Sequence, residues 1–211
     1  MSQEKFDLTK VHECFDRCLA DPIDPDDVLV DAYLEAFKEL YKFFSLMGTV
    51  FGFVSSDVKE KVEILEKHRQ QPNAEKFETI KRMMEYERDA ELLAKKDYVS
   101  GSRTLLRLHR GLDFIYVFLK RLGELANPDD KTNCVCQTSY NETLAHFHPW
   151  LIRKGATVAM YALPNRDQLL EKVCVDAATA IQKLPEMLVV ARQVYDRTQD
   201  LYTKYDLHGL P

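Results

Sequence analysis

Apolar residues recur every three to four positions along most of this chain, and alternating patterns are short, so the periodicity predicts an all-helical protein. Helices are expected near residues 7–20, 27–54, 57–69, 74–95, 100–125, 135–146, 149–162, 166–173 and 184–204. Asp21-Pro22-Ile23-Asp24-Pro25, Gln71-Pro72-Asn73, Asn127-Pro128-Asp129-Asp130 and Leu163-Pro164-Asn165 mark the breaks between them. None of these is a long flexible linker and no internal repeat is present, so residues 1–211 are read as one domain.

One helix departs from the ordinary pattern. At about 100° per residue, Arg103, Arg107, Arg110, Phe114 and Phe118 share a face, while Leu105, Leu108, Leu112, Ile115 and Leu119 make the opposite face apolar as well. A helix apolar on both sides in its second half is expected to be buried on both sides. Guanidinium groups at the edge of such a stripe call for an anion, and their planar fork matches phosphate or carboxylate. The alternative is that these arginines pair internally with acids such as Asp57, Asp97 or Asp113.

The helix expected near 27–54 shows the reverse order. If its phase persists through Gly48 and Gly52, then Phe43, Val50, Val54, Asp57 and Lys61 form an apolar stripe that ends in charge. Packed antiparallel, the two elements would bring their charged ends to one mouth with greasy stripes leading inward, a pocket suited to an amphiphile. Lys61, Arg103 and Arg107 against Asp57 leave +2 at that mouth, close to the charge of about −1.5 to −2 on a phosphate monoester. A second reading of Asp57 and Glu60 is a helix N-cap, which would break the phase at Asp57.

The whole-chain charge restricts the ligand. With 211 residues, a net charge of −5 and a pI near 5.7, the chain lacks the extended basic surface that nucleic acid requires, so an anion site must be local. The start, Met1-Ser2-Gln3-Glu4-Lys5-Phe6, has no basic and apolar leader, and an intracellular, cytosolic protein is expected. The longest uncharged stretch, Phe43 to Ser56, falls short of the roughly 20 apolar residues that span a bilayer. Five cysteines are expected to be reduced, with Cys14 and Cys18 in the core, and Cys134-Val135-Cys136 is too close for a usual zinc site. The sequon Asn141-Glu142-Thr143 is expected to go unused inside the cell.

His146-Phe147-His148-Pro149-Trp150 is the third cluster. Pro149 suits the first turn of a new helix, which sets His148 at its cap and the single tryptophan just inside. His148 can be a satisfied structural group or a ligand group; Trp150 can be core or, beside Arg153 and Lys154, a contact with an anionic membrane surface. The chain holds no dinucleotide fingerprint, P-loop, nucleophile elbow or His-Glu-x-x-His, and Asp24-Pro25-Asp26-Asp27 lacks the rest of a calcium loop. No enzyme activity, cofactor or metal is expected.

Ser56-Asp57-Val58-Lys59-Glu60-Lys61, Arg103 to Leu112, His148-Pro149-Trp150 with Arg153-Lys154, and Ala162-Leu163-Pro164-Asn165-Arg166 follow the order and approximate spacing of the glycolipid transfer protein superfamily, which the chain resembles over nearly its full length, ending in Leu207-His208-Gly209-Leu210-Pro211. Glycolipid-specific members carry tryptophan where this chain has Arg107 and tend to carry asparagine where it has Lys61; both changes favour the branch that carries ceramide-1-phosphate. The resemblance implies a two-layer helical sandwich with a surface headgroup site and a hydrophobic lipid pocket between the layers. It further implies that Lys61, Arg103 and Arg107 bind phosphate, that Asp57 accepts from the sphingoid amide and hydroxyl, that His148 donates to the acyl carbonyl, and that Trp150 docks on the bilayer. Arg110 would stand behind these residues. The implied function is non-enzymatic transfer by a monomer that meets membranes transiently, such as the Golgi and the inner face of the plasma membrane. The other readings are glycolipid transfer and a helical interaction module without lipid transfer.

Overall fold

The structure, a computed structural model, describes residues 4–21, 24–48 and 51–211. Among them lie α1 (Leu8–Cys18), α2 (Val30–Leu46), α3 (Gly52–Arg69), α4 (Ile80–Asp89), α5 (Gly101–Glu124), α6 (Thr132–Thr143), α7 (Trp150–Tyr161), α8 (Arg166–Val173) and α9 (Ala177–Lys204), and no strand. Side-chain caps start several of them: Asp7 accepts from Thr9 N and Lys10 N, Thr79 from Arg82 N, and Asp176 from Ala178 N and Thr179 N.

Two hub helices define two layers. α2 packs on α1, α3 and α8, while α5 packs on α3, α4, α6 and α9; α3 and the α1–α9 contact join the layers at their edges. The double-sided burial expected of the arginine-bearing helix is observed, since Leu105, Leu108, Leu112 and Leu119 on one side and Phe114 and Phe118 on the other are all buried. Between the hubs runs a line of rings. Phe6 meets Phe43 at 5.3 Å, Phe43 meets Phe118 at 6.3 Å, Phe118 stacks on Phe114 at 5.9 Å, and Phe114 meets Tyr140 edge-on at 6.2 Å.

Several element boundaries differ from the periodic reading. The helix expected over 27–54 ends at Leu46, because Gly48 adopts φ +128°, a conformation closed to residues with a Cβ. Asp57 therefore neither continues α2 nor caps a new helix; it lies inside α3, and Val50 falls outside the described residues. The helix expected over 74–95 divides into a short 3₁₀ turn, Ala74–Phe77, and α4, because Thr79 caps the latter afresh. α6 starts and ends about three residues early, at Thr132 and Thr143. α9 begins at Ala177 rather than near 184: the Asp176 cap outweighs Pro185, which removes one backbone bond without ending a helix already started.

α5 and α9 enclose a histidine that titrates against stability. His109 lies between Tyr195 at 4.4 Å and Tyr202 at 5.5 Å, and its Nε2 lies 2.7 Å from Gln199 Oε1. Burial drives its pKa from 6.5 to about 4, with the Gln199 contact opposing. The unfolded chain consequently binds this proton first. Stability from this group is complete above about pH 6.5, declines as pH falls towards 4 and levels off below, a loss on the order of 3 kcal/mol. Melting temperatures recorded between pH 7 and 4 should fall more steeply for the native chain than for His109→Gln; parallel curves would assign the slope to other groups.

Candidate functional site

The charged mouth starts with how α5 begins. Its N-terminus is buried, so its backbone N–H groups cannot turn to water. Glu87, fully buried in α4, takes two of them, accepting from Gly101 N at 2.6 Å and Ser102 N at 2.9 Å, along with the Tyr98 hydroxyl at 2.8 Å and the Ser100 hydroxyl at 2.7 Å. Ser100 Oγ then accepts from Arg103 N, and the Ser100 carbonyl accepts from Thr104 N. A carboxylate here also suits the positive end of the helix dipole. The Gly101-Ser102 pair has a packing reason: a Cβ at Gly101 would come within 2.6 Å of Met83 Sδ and 3.4 Å of Phe77, and Ser102 O accepts from Tyr202.

Arg103 is half-buried, donates from Nη2 to Leu93 O at 2.9 Å, and keeps a buried Nε with no hydrogen-bond partner among the described residues. Arg107 is exposed and forms no ion pair among the described residues. Pairing with Asp57, Asp97 or Asp113, the alternative raised by the sequence, is not what the arginines do; Asp113 instead feels Arg192 and His146, and burial raises its pKa. Arg110 is engaged within the protein, donating to His208 O at 2.8 Å with its guanidinium 4.0 Å from the Phe147 ring centre.

α3 brings the third cation. His68 Nε2 lies 2.8 Å from Val99 O, which fixes the end of α3 beside the start of α5, and the two helices pack as they leave that point. Lys61 precedes His68 by two turns, about 10 Å, on α3, and Arg103 and Arg107 lie one turn apart in the first two turns of α5. Lys61 is buried, its Nζ 3.1 Å from Asp57 and 3.3 Å from Glu60, both exposed. Glu60 was absent from the charge count made on the sequence; including it lowers the local excess from +2 to +1.

His148 lies close enough to Asp57 to feel its charge. It precedes the cap of α7, which is Pro149, one residue later than the sequence suggests. Its Nδ1 lies 2.8 Å from Tyr140 Oη; when the phenol donates, the neutral imidazole carries its proton on Nε2, a donor free for a ligand. Burial lowers the His148 pKa while Asp57 opposes, so the Asp57 carboxylate is near enough to be felt at the ring. Trp150 is 63% exposed, which removes the core alternative. Leu151, Ile152, Val158 and Tyr161 are exposed with it, beside exposed Arg153 and Lys154. Among the described residues no helix is long and apolar enough to cross a membrane, and no group of three or more His, Cys, Asp or Glu side chains is placed to hold a metal.

Two of the residues that shape this site escape the sequence. Glu87 lies 14 positions from the first N–H it accepts, and Tyr140 lies eight positions from His148, so neither pair has a local signature.

A two-layer all-helical fold around an aromatic interior is the architecture of a lipid-carrier family, and comparison with known proteins identifies which one. Residues 28–175 match the family profile Glycolipid transfer protein (GLTP), and the chain belongs to that family. It is 40% identical to the ceramide-1-phosphate transfer protein of Xenopus laevis, over 100% of this chain and 99% of that one. The crystal structure of the mouse ceramide-1-phosphate transfer protein in its apo-form matches at TM-score 0.89 and 37% identity, covering 98% of this chain and 100% of the other. The human protein in complex with 2:0 ceramide-1-phosphate matches at 0.87 and 36%, covering 99% and 100%.

Glu87→Ala should lower the unfolding free energy by about 3 kcal/mol, since it strands buried donors at the start of α5, with Glu87→Gln losing less. Urea unfolding measures this, and a loss under about 1 kcal/mol would refute the capping account.

Proposed function

We propose that this protein carries ceramide-1-phosphate between membranes without covalent chemistry, as a cytosolic monomer. The observation that carries this reading is Arg107, an exposed arginine free of ion pairs among the described residues, on a helix packed against the one that bears Lys61 and one turn from the unpartnered Nε of Arg103. Three cations gathered at the edge of an apolar interior suit a phosphate attached to hydrocarbon. The bound lipid of the human relative supports the same cargo.

In this reading Lys61, Arg103 and Arg107 hold the phosphate. Lys61 exchanges part of its contact with Asp57 and Glu60 for phosphate oxygens, which frees Asp57 to accept from the amide N–H and the hydroxyl of the sphingoid base. His148 donates from Nε2 to the acyl carbonyl, with Tyr140 fixing the tautomer. The ring line from Tyr140 to Phe6 marks the path of the chains, whose entry separates rings that touch one another in the structure. α7 rests on the bilayer through Trp150 and its exposed apolar neighbours, with Arg153 and Lys154 meeting anionic headgroups.

Exposing a chain of about sixteen carbons to water costs on the order of 12 kcal/mol, at roughly 0.8 kcal/mol per methylene, which makes unaided escape slow. A carrier that replaces bilayer contacts with its own interior lowers that barrier, and net flow follows the lipid gradient. The lipid leaves chemically unchanged.

Transfer of fluorescent ceramide-1-phosphate between vesicles, beside a fluorescent glycosylceramide, tests the reading. The phosphate lipid should move and be recovered with its mass unchanged, while the neutral lipid should not. Arg107→Leu should abolish transfer with helicity and melting temperature retained; normal transfer by that variant would overturn the site assignment. Tyr140→Phe, which removes the hydroxyl at His148, should slow transfer roughly tenfold, about 1.4 kcal/mol, and an unaltered rate would separate Tyr140 from recognition.

A further inference from the structure

Of the three candidate phosphate-binding cations, Lys61 alone holds carboxylates among the described residues. Arg103 is tied to a neutral acceptor, the Leu93 carbonyl, and Arg107 forms no ion pair. The Lys61 side chain is only 6% exposed, and its Nζ meets Asp57 at 3.1 Å and Glu60 at 3.3 Å, whose side chains are 61% and 66% exposed.

The two acids differ. Asp57 stands one turn before Lys61, where helical spacing brings such a pair together, and its charge is felt at His148. Glu60 is the sequence neighbour of Lys61. Side chains one residue apart on a helix point about 100° away from each other, so this contact exists because two long side chains reach towards one another. Glu60 makes no other hydrogen bond or ion pair among the described residues. With Glu60 in place the three cations and two acids leave +1; with Glu60 turned out to water they leave +2, which matches the charge of about −1.5 to −2 on a phosphate monoester.

We infer that Glu60 is a specificity-determining residue: it is the resident counterion of Lys61, which an incoming phosphate must displace, and it keeps phosphate that carries no hydrocarbon from holding the site. This rests on the lipid-carrier reading above. Free phosphate offers the same oxygens as a lipid headgroup, and three uncompensated cations would take up either. Displacing Glu60 lowers the affinity for both by a similar factor, and specificity arises from where that leaves each of them. The lipid adds the apolar contacts of its chains and stays bound. Free phosphate has ionic contacts alone, and a modest loss is enough to leave the site open to the lipid. Asp57 is retained in the occupied site, where the sphingoid amide and hydroxyl need its carboxylate; Glu60 has no such duty and leaves for water.

The test is inhibition of vesicle-to-vesicle ceramide-1-phosphate transfer by inorganic phosphate, against sodium chloride of equal ionic strength. Donor vesicles are kept dilute in the lipid, so that the inhibitory concentration reports the affinity of the lipid-free protein for phosphate. Each rate is divided by the uninhibited rate of the same protein. Glu60→Gln, a change at an exposed side chain, should lower the inhibitory concentration of phosphate about threefold, and Glu60→Ala should follow it. Glu63→Gln removes an exposed carboxylate one turn away that pairs with Lys59 instead, and should leave the native value unchanged. An unaltered inhibitory concentration in both Glu60 variants overturns this inference alone. So does an equal shift in Glu63→Gln, which would assign the effect to overall charge, and so does inhibition by chloride as strong as that by phosphate. Failure of the native chain to move ceramide-1-phosphate at all overturns the carrier reading and this inference with it.

Discussion

A buried carboxylate holds this structure in working order. Helix α5 starts inside the protein, where its first N–H groups would have no partner, and Glu87 supplies one from the neighbouring α4. The same carboxylate fixes Tyr98 and Ser100, and Ser100 in turn caps Arg103. The arginines therefore stand on a helix whose starting point is set by hydrogen bonds rather than by a loop. If that start shifted by one residue, the basic face would rotate by about 100° and the cations would leave the mouth.

The second layer of organisation is a division of labour along α5. Its first turns carry the arginines and its later turns bury Leu112, Phe114, Ile115, Phe118, Leu119 and Leu122, so a single rigid element joins a polar end to an apolar interior. α3 reaches the same entrance from its pinned end at His68 and brings Lys61 with two acids in contact. His148 arrives through Tyr140, which touches both the imidazole and the interior ring line. The candidate headgroup site and the apolar interior thus share Tyr140 instead of lying in separate compartments.

Much of this was legible in the sequence for a plain reason. Helical phase is local, so Arg103, Arg107, Phe114 and Phe118 fall on one face whatever surrounds them, and the i to i+4 step puts Asp57 beside Lys61 in any helix. The unusual greasiness of both faces correctly indicated a helix buried on two sides. What the sequence concealed was non-local or depended on a single dihedral angle. Gly48 ends α2 through a left-handed backbone that hydropathy does not report, and Pro185 suggested a later start for α9 than its Asp176 cap gives. Arg110 shares the phase of its two neighbours but is drawn off by a carbonyl at the far end of the chain, which no periodicity can foresee.

The closeness of the ring line has a thermodynamic consequence for a shuttle. Rings that touch one another gain dispersion and hydrophobic contact on their own account, so an incoming chain competes with the protein's side chains for the same contacts. Binding is then an exchange, and its free energy is the difference between two packed states rather than the full gain of leaving water. Such a difference is smaller than the full gain and more easily reversed. A preformed empty tunnel would hold its cargo far more tightly and give it up slowly, whereas an interior that heals behind a departing chain favours release as readily as uptake.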